Sequence, residues 1–380
     1  MPYITVRQPK KAYQLTYEDI IMMEHVSATR ASSGNVSSGG TITKFVEHID
    51  ENIIARTNVS GMIFALEEFC ERYKGLYDAN RRSLYYEFPI PKKSGGVRII
   101  DAPNDELKKA LYDLKDIFEN TIGALHHTSA YAYVEGRSTI DAIKRHQSNG
   151  SKWFLKTDCT NFFGSTTKSF IMHMLSMIFP FCEIVKKENG KIALERAVDL
   201  CILGEGLPQG TPISPMLTNI VMVPIDHAIS RHMNKEGCVY TRYADDMIIS
   251  SKKSFMYTEK VAFIRNTFKW FCAPYDLKRE KTRYGSSSGS NWNLGVMLNK
   301  DNEITIGHKK RDMFRCMCVN YIDSVKKNQP WDFHEIQVFS GQISYYMMVE
   351  PEYITKIVKK YEQKFGINVI DHMKRVLTGR

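Results

Sequence analysis

A short segment with two adjacent acids constrains this chain most. In Thr241-Arg-Tyr-Ala-Asp-Asp-Met-Ile-Ile-Ser-Ser251, β-branched and aromatic residues flank a small polar turn, which predicts a hairpin. Asp245 and Asp246 at that turn repel each other and are costly to bury. A divalent cation would remove both costs. Taken alone, such a motif is more often an ordinary Asp-rich turn, so the rest of the chain has to decide between the two interpretations.

Composition narrows the choice of partner. The 380 residues allow two or three domains, or one large α/β assembly with appendages, and the net charge of +10 favours a polyanion such as nucleic acid. No run of apolar residues approaches the length of a membrane span, and the first residues lack the apolar core of a signal peptide. The eight cysteines show no zinc-type spacing. These features predict a cytoplasmic protein with reduced cysteines and no membrane partner.

Three further stretches carry polar groups at structurally defined places. Trp153-Phe-Leu-Lys-Thr-Asp158 is an apolar strand that ends in an acid, which suits either a metal ligand or the cap of the next helix. Lys92-Lys-Ser-Gly-Gly96 is the basic tip of a predicted hairpin, suited to a triphosphate or to guarding a sheet edge. Gln209-Gly210 precedes the helix start at Ser214-Pro215 and predicts close approach of this backbone to another molecule.

The ends of the chain are predicted to be helical. Residues 1–80 favour helices, among them one over Thr16 to Ala28, one from Thr43 and one over Met62 to Tyr77. From Lys309 onward the pattern is again helical, and it is basic. Between these ends, Asn299-Lys-Asp-Asn302 separates two short apolar runs, which predicts a second hairpin.

Several of these motifs together resemble the reverse transcriptase family. Four occur in the family's order: Lys156-Thr-Asp158 with Phe163, Leu207-Pro-Gln-Gly-Thr-Pro-Ile-Ser-Pro215, Tyr243-Ala-Asp-Asp246 and Leu294-Gly295. Ile90-Pro-Lys-Lys-Ser-Gly-Gly-Val-Arg98 and Gly136-Arg-Ser138 add two more. The resemblance covers roughly residues 80–350. It makes a cation-binding site, and not an ordinary Asp-rich turn, the preferred interpretation of Asp245 and Asp246.

The resemblance implies an α+β right-hand polymerase fold, in which an antiparallel sheet with helices forms the palm. The implied domains are an N-terminal helical extension (1–80), fingers (81–150), a palm with finger elements (151–290), a primer-grip hairpin (291–308) and a helical thumb (309–380).

The resemblance also implies the catalytic groups. Asp158 and Asp245 are expected to bridge two Mg²⁺ ions, with Mn²⁺ as a substitute, and Asp246 to be a supporting catalytic acid. The backbone carbonyl of Cys159 is expected to complete one metal site. Acidic oxygen ligands suit Mg²⁺, which keeps water and substrate oxygens as its other ligands.

Substrate-binding residues follow from the same motifs. Those expected at the incoming nucleotide are Lys92, with Lys93 as its rival, and Arg98, Phe163, Gln209, Gly210 and Lys281. Those expected at the primer and template are Arg137, Tyr243, Leu294 and Gly295.

Phe163 is expected to select the sugar. It lies five residues after Asp158, where DNA-making members of the family hold an aromatic ring against C2′ of the nucleotide. A ribose 2′-hydroxyl would clash there, which favours deoxynucleotides. Core packing beside Phe162 is the alternative.

The resemblance leads to a prokaryotic RNA-directed DNA polymerase, a nucleotidyltransferase that copies a structured non-coding RNA into DNA from dNTPs. Because Leu294-Gly295 departs from the usual retron pattern, an enzyme of antiphage defence is preferred. A retron-type enzyme making RNA-linked DNA and an untemplated or protein-primed polymerase stay as alternatives. A homo-oligomer or an accessory protein is left open as a further partner.

Overall fold

The computed structural model describes residues 4–7, 12–15, 58–91, 95–122, 125–287 and 292–379. They fall into two compact units, neither of which is one continuous segment. The first unit takes its residues from Met1–Ser138, Leu155–Ile249 and Met256–Arg283. The second takes them from Thr139–Phe154, Ser250–Phe255 and Tyr284–Arg380. The implied bounds of fingers, palm and thumb stay a prediction.

Helices and strands occur in separate groups along the described chain. The strands are β1 Ile4–Arg7, β2 Ala12–Leu15, β3 Tyr85–Pro91, β4 Val97–Pro103, β5 Trp153–Asp158, β6 Cys238–Tyr243, β7 Asp246–Ser251, β8 Arg283–Ser286, β9 Trp292–Asn293, β10 Val296–Leu298 and β11 Ile304–Thr305. The α-helices are α1 Val59–Arg72, α2 Lys74–Asp78, α3 Asp105–Ile122, α4 Thr139–Ser148, α5 Phe162–Ser165, α6 Lys168–Leu175, α7 Phe181–Val185, α8 Glu188–Leu200, α9 Ser214–Val221, α10 Val223–Lys235, α11 Tyr257–Trp270, α12 Gly307–Lys326, α13 Phe333–Val349, α14 Pro351–Phe365 and α15 Val369–Thr378. No helix among them is long and apolar enough to cross a membrane.

The N-terminal prediction of helices is wrong for the first described residues. β1 and β2 pair antiparallel with Ile4 opposite Leu15. Isoleucine, threonine and valine in β1 favour extended backbone, and Pro9 between the strands disfavours a continuous helix. The helices predicted over Thr16 to Ala28 and from Thr43 lie outside the described residues. The helix over Met62 to Tyr77 is present as α1 and α2.

The helices of the first unit form because apolar residues recur on one face. In α3, Leu107, Leu111 and Leu114 are fully buried, which is the spacing of one helical stripe. Asn104 caps the helix, since its side-chain oxygen accepts a hydrogen bond from the amide of Leu107 at 2.9 Å. The sequence pattern over residues 104–119 predicts an amphipathic helix, and α3 confirms it.

A four-stranded sheet has the order β6-β7-β5-β8. Residues 244 and 245 form a two-residue turn between β6 and β7, so the predicted hairpin is confirmed. Ala244 has a φ of +55°, in the left-handed region that short hairpin turns require. Backbone hydrogen bonds from the amide of Cys159 to the carbonyl of Asp245 and from the amide of Lys152 to the carbonyl of Ser251 put the end of β5, and with it Asp158, beside the start of β7. Carboxylates far apart in sequence therefore meet at one place.

The second unit contains the other predicted hairpin and the C-terminal helices. Met297 pairs with Thr305 across β10 and β11, on either side of the turn expected at residues 299–302. Helices α12 to α15 share a core around Phe314, Phe339 and Ile354. Asp332 and Glu335 form a capping box at the start of α13. The predicted helical C-terminus is confirmed.

Candidate active site

The acidic turn is tied to the end of β5 by a backbone hydrogen bond. The amide of Cys159 donates to the carbonyl oxygen of Asp245 at 3.0 Å. The Cys159 thiol is buried, and burial raises its pKa, so this side chain is a neutral packing group. Cys159 therefore contributes to the site through its backbone.

Two lysines hold the carboxylate of Asp158. Lys278 Nζ lies 2.6 Å from Oδ1 and Lys281 Nζ lies 3.0 Å from Oδ2. Burial alone would raise the pKa of Asp158, but the two ammonium groups outweigh it and lower this pKa. Backbone pairing brings the lysines here, since the amide of Lys278 donates to the Asp158 carbonyl at 2.9 Å. Sequence reasoning found Lys281 and missed Lys278.

In contrast to Asp158, the two acids of the turn have raised pKa values. Burial and the charges of Asp158 and Asp246 raise the pKa of Asp245 to about 6. Burial also raises the pKa of Asp246, although Lys156 Nζ lies 3.5 Å from its Oδ1. The turn therefore holds carboxylates whose mutual repulsion is not fully offset.

This donor set fits a divalent cation. Within the described ranges, no three His, Cys, Asp or Glu side chains are grouped closely enough to hold a metal ion by themselves. Mg²⁺ is commonly held by one or two carboxylates together with waters and substrate phosphates. Asp158 and Asp245 can supply those carboxylates, and a cation would relieve the repulsion that raises the pKa of Asp245.

A buried ion pair supports the turn, and sequence reasoning missed it. Arg242 donates from Nε and Nη2 to the carboxylate of Asp226, at 2.8 to 3.0 Å. Its Nη1 donates to the carbonyl of Ala244 at 3.1 Å, and its Nη2 to Asn219 at 3.1 Å. Arg242 thus links α9, α10 and the acidic turn. Neither Asp226 nor Asn219 belongs to a short motif that would have revealed this contact.

The predicted close approach of Gln209-Gly210 is to the chain's own β4. The amide of Asp101 donates to the Gln209 carbonyl at 2.8 Å. Gly210 has a φ of +127°, and a Cβ there would lie 2.8 Å from the Asp101 carbonyl oxygen. Only glycine fits such a position without displacing β4. A role for these two residues at the nucleotide stays a prediction.

Phe162 and Phe163 occupy different environments. Phe162 is 3% exposed and packs against Tyr275 with ring centroids 5.0 Å apart. Phe163 is only partly buried. Core packing therefore describes Phe162. The partly buried ring of Phe163 is available to a ligand.

The other predicted ligand-binding residues are placed as follows. Arg98 is exposed on β4, opposite Ile90, whereas Lys92 and Lys93 lie outside the described residues.

Arg137 donates from Nη1 to the carbonyls of Ala130 at 2.7 Å and Thr128 at 3.1 Å. It therefore braces its own loop, and a role at the template stays a prediction. Tyr243 ends β6 and is partly buried.

The predicted primer-grip residues lie in the second unit. Leu294 and Gly295 form the turn between β9 and β10, with φ values of +51° and +87°. Lys310 Nζ donates to the Gly295 carbonyl at 2.6 Å. A Cβ at Gly295 would lie 3.2 Å from the hydroxyl of Tyr345. The turn is therefore fixed against α12 and α13.

Comparison with known proteins decides the family. Residues 90–313 match the family described as reverse transcriptase (RNA-dependent DNA polymerase), which is more than half of the chain. This chain belongs to the reverse transcriptase family. It is an RNA-directed DNA polymerase with a right-hand polymerase fold, for which RNA is the template and DNA the product. Enzymes of this family generally depend on divalent metal ions.

Curated relatives of this reverse transcriptase include retron enzymes. The Retron Ec83 reverse transcriptase of Escherichia coli is 26% identical over 310 residues, which cover 78% of this chain and 91% of the relative. The Retron Ec73 reverse transcriptase of the same organism is 27% identical over 284 residues, covering 73% and 87%. The Retron Mx65 reverse transcriptase of Myxococcus xanthus is 25% identical over 285 residues, covering 73% and 64%.

Solved structures similar to this reverse transcriptase include telomerases. Apo telomerase from Candida tropicalis has 12% sequence identity and a TM-score of 0.46, with 99% of this chain and 69% of the other covered. Telomerase from Candida albicans in complex with a fragment of telomeric RNA has 12% identity and a TM-score of 0.44, with 75% and 54% covered.

Proposed function

We propose that this reverse transcriptase copies a structured non-coding RNA into DNA, in the manner of a retron-type enzyme, and that two Mg²⁺ ions assist the nucleotidyl transfer. One observation carries the proposal: retron reverse transcriptases align with most of this chain. Asp158 and Asp245, the carboxylates proposed to hold the metal ions, lie where a backbone hydrogen bond links the end of β5 to the acidic turn. The retron-type alternative thus takes precedence over a defence enzyme outside the retrons.

Asp158 and Asp245 would hold the metal ions, with the Cys159 carbonyl as a further ligand and Asp246 as a supporting acid. Mn²⁺ would substitute for Mg²⁺, since it accepts the same oxygen ligands. Bound Mg²⁺ lowers the pKa of the primer 3′-hydroxyl and neutralises charge that develops on the phosphate oxygens.

Basic residues of the chain would handle the triphosphate. Burial lowers the pKa of Lys281, but its bond to Asp158 and the charge of that carboxylate together raise this pKa, so Lys281 stays protonated. An ammonium group there can donate a proton to the leaving pyrophosphate. Lys278, on the same carboxylate, would add positive charge beside it. Arg98, with Lys92 or Lys93, would contact the triphosphate, and Gln209-Gly210 would support the nucleotide and the template base.

The second unit offers surfaces for the primer and for the RNA. The turn at Leu294-Gly295 would contact the primer end, and Tyr243 and Arg137 of the first unit would support primer and template. On α14, Lys356, Lys359 and Lys360 line one exposed groove. Three ammonium groups on one helix face match the phosphates of a nucleic-acid backbone. Such contacts would bind a folded RNA by its shape and charge.

Primer extension tests the proposed chemistry. The wild-type enzyme with Mg²⁺, a primed RNA template and dNTPs should make DNA complementary to the template. Asp158→Asn and Asp245→Asn should lose this activity by at least about a thousandfold, while their circular dichroism and RNA affinity stay near wild type. Extension that persists in both variants would remove the assignment of these acids. Extension by the wild type that ignores the template would favour the untemplated alternative.

A role in antiphage defence stays a prediction. It is tested by plating phages on cells that carry the gene with its native flanking DNA. Protection that is lost in Asp245→Asn would support it, and equal plaque counts with and without the gene would speak against it.

A further inference from the structure

Tyr133 combines two features that ordinary packing does not explain. Its φ is +58°, in the left-handed region where a bulky side chain is strained. The residue is also 56% exposed, so burial of its ring does not offset that strain. A strained, exposed aromatic residue beside an active site is a candidate for a functional role.

Two side chains hold the backbone that leads into Tyr133. Asn219 Nδ2 donates to the carbonyl of Ala132 at 3.0 Å, in a buried hydrogen bond. Arg137 Nη1 donates to the carbonyl of Ala130 at 2.7 Å. Because Asn219 also accepts a hydrogen bond from Arg242, the segment that presents Tyr133 and the acidic turn share one buried support.

The ring of Tyr133 packs on the proposed sugar gate. Its centroid lies 6.2 Å from that of Phe163, with the two planes at 68°. Phe163 also meets Phe162, at 5.7 Å and 73°. Both contacts have the edge-to-face geometry that aromatic pairs prefer. The half-buried ring of Phe163 therefore contacts both a core ring and the ring of Tyr133.

Charged groups of the proposed site act on the side chain of Tyr133. Although the residue is 56% exposed, the surrounding protein atoms partly desolvate its phenol and raise the pKa of Tyr133; the charge of Asp245 raises it further, and Arg98 lowers it. The side chain thus lies within electrostatic reach of a catalytic acid and of the arginine proposed for the triphosphate. A nucleotide bound between those groups would adjoin Tyr133 as well as Phe163.

We infer that Tyr133 is a positioning residue for sugar selection: it fixes the ring of Phe163 against the site of the nucleotide C2′. This inference rests on the proposed gate role of Phe163. Without the Tyr133 ring, Phe163 loses one of its two described ring contacts and can rotate away from the sugar. A ribose 2′-hydroxyl would then be accepted more readily, whereas removing the Tyr133 hydroxyl alone would leave the contact intact.

The test is the ratio of kcat/KM for a dNTP to that for the matching rNTP, measured by single-nucleotide extension. Tyr133→Ala should lower this ratio about three- to tenfold, as expected for loss of one aromatic contact. Tyr133→Phe should restore it, which a role of the hydroxyl would not allow. Tyr112→Ala is the matched control, because Tyr112 is an exposed tyrosine on α3.

A double-variant cycle separates this inference from the gate itself. In a Phe163→Ala background, Tyr133→Ala should have no further effect on the ratio, since its target is gone. An unchanged ratio in Tyr133→Ala, with a lowered ratio in Phe163→Ala, would overturn the inference and leave the gate standing. Fully additive effects would also overturn it. If Phe163→Ala itself left the ratio unchanged, the gate and the inference would both fall.

Discussion

Arg242 and Asp226 form an ion pair that is almost entirely removed from water. The exposed fractions of the two side chains are 1% and 0%, and Arg242 Nη2 lies 2.8 Å from Asp226 Oδ2. The hydroxyl of Tyr240 also donates to Asp226 at 2.8 Å, so the carboxylate accepts bonds from both partners. Because the same guanidinium binds the Ala244 carbonyl, the conformation of the acidic turn depends on this pair.

Asp226→Asn should strongly destabilise the protein. The substitution leaves the Arg242 charge buried without its counter-ion, which typically costs about 3–5 kcal/mol of unfolding free energy. Urea unfolding followed by circular dichroism measures this cost. The matched control is Glu71→Gln, which breaks the exposed pair of Lys74 and Glu71, with exposed side-chain fractions of 68% and 74%. Such a pair contributes roughly 0–1 kcal/mol, so equal losses in the two variants would contradict this account.

Asp245→Asn should stabilise the protein in the presence of a chelator while abolishing polymerisation. The folded state raises the pKa of Asp245 to about 6, so it binds this proton more tightly than the unfolded chain does. The stability contribution of the protonated group is therefore present at low pH and is lost as pH rises through about 6. At pH 7.5 the variant should be more stable by on the order of 1–3 kcal/mol.

The pH dependence and the metal dependence of that difference provide its check. The stability advantage of Asp245→Asn should shrink as pH falls from 7 to 4.5, because the wild-type carboxyl then takes up its proton. Millimolar Mg²⁺ should also shrink it, by stabilising the wild type more than the variant. A variant that is less stable than the wild type throughout this range would show that Asp245 is not under repulsion.

Gly210→Ala should disrupt the contact between the loop and β4. The residue has a left-handed φ, and a Cβ would meet the Asp101 carbonyl, so either the loop or the strand must shift. Gly204→Ala is the matched control, because Gly204 has a φ of +66° with nothing within 4 Å of its Cβ position. We expect a loss of about 1 kcal/mol for Gly204→Ala and at least twice that for Gly210→Ala. Equal urea midpoints would contradict the close approach.

Phe163→Ala should admit ribonucleotides. The substitution removes the ring that would clash with a 2′-hydroxyl, so the dNTP to rNTP ratio of kcat/KM should fall at least about tenfold. Phe64→Ala serves as the control, since Phe64 is an exposed phenylalanine on α1. An unchanged ratio in Phe163→Ala would leave its ring a packing group beside Phe162.

The sequence predicted the features that local pattern determines. The hairpin with Asp245 at its turn, the strand ending at Asp158 and the hairpin turn at residues 299–302 each depend on a few adjacent residues. Local pattern failed at the N-terminus, where β1 and β2 lie in a region predicted as helical.

The supporting contacts required the folded chain. Asp226 lies 16 residues from Arg242, and Lys278 lies 120 residues from the Asp158 that it contacts. Such pairs have no fixed spacing, since the packing of α10 and the pairing of residues 276–278 with 158–160 bring them together. Tyr133 was missed for the same reason, because no pattern in its neighbouring residues predicts its contact with Phe163.

The central claim is that Asp158 and Asp245 catalyse DNA synthesis on an RNA that this protein itself holds. The most direct measurement is to purify the wild type and Asp245→Asn from the native host and sequence the bound RNA and DNA. We predict one dominant structured RNA in both samples, and DNA complementary to part of it in the wild type only. DNA that matches no bound RNA, or the same DNA in the variant, would contradict the claim.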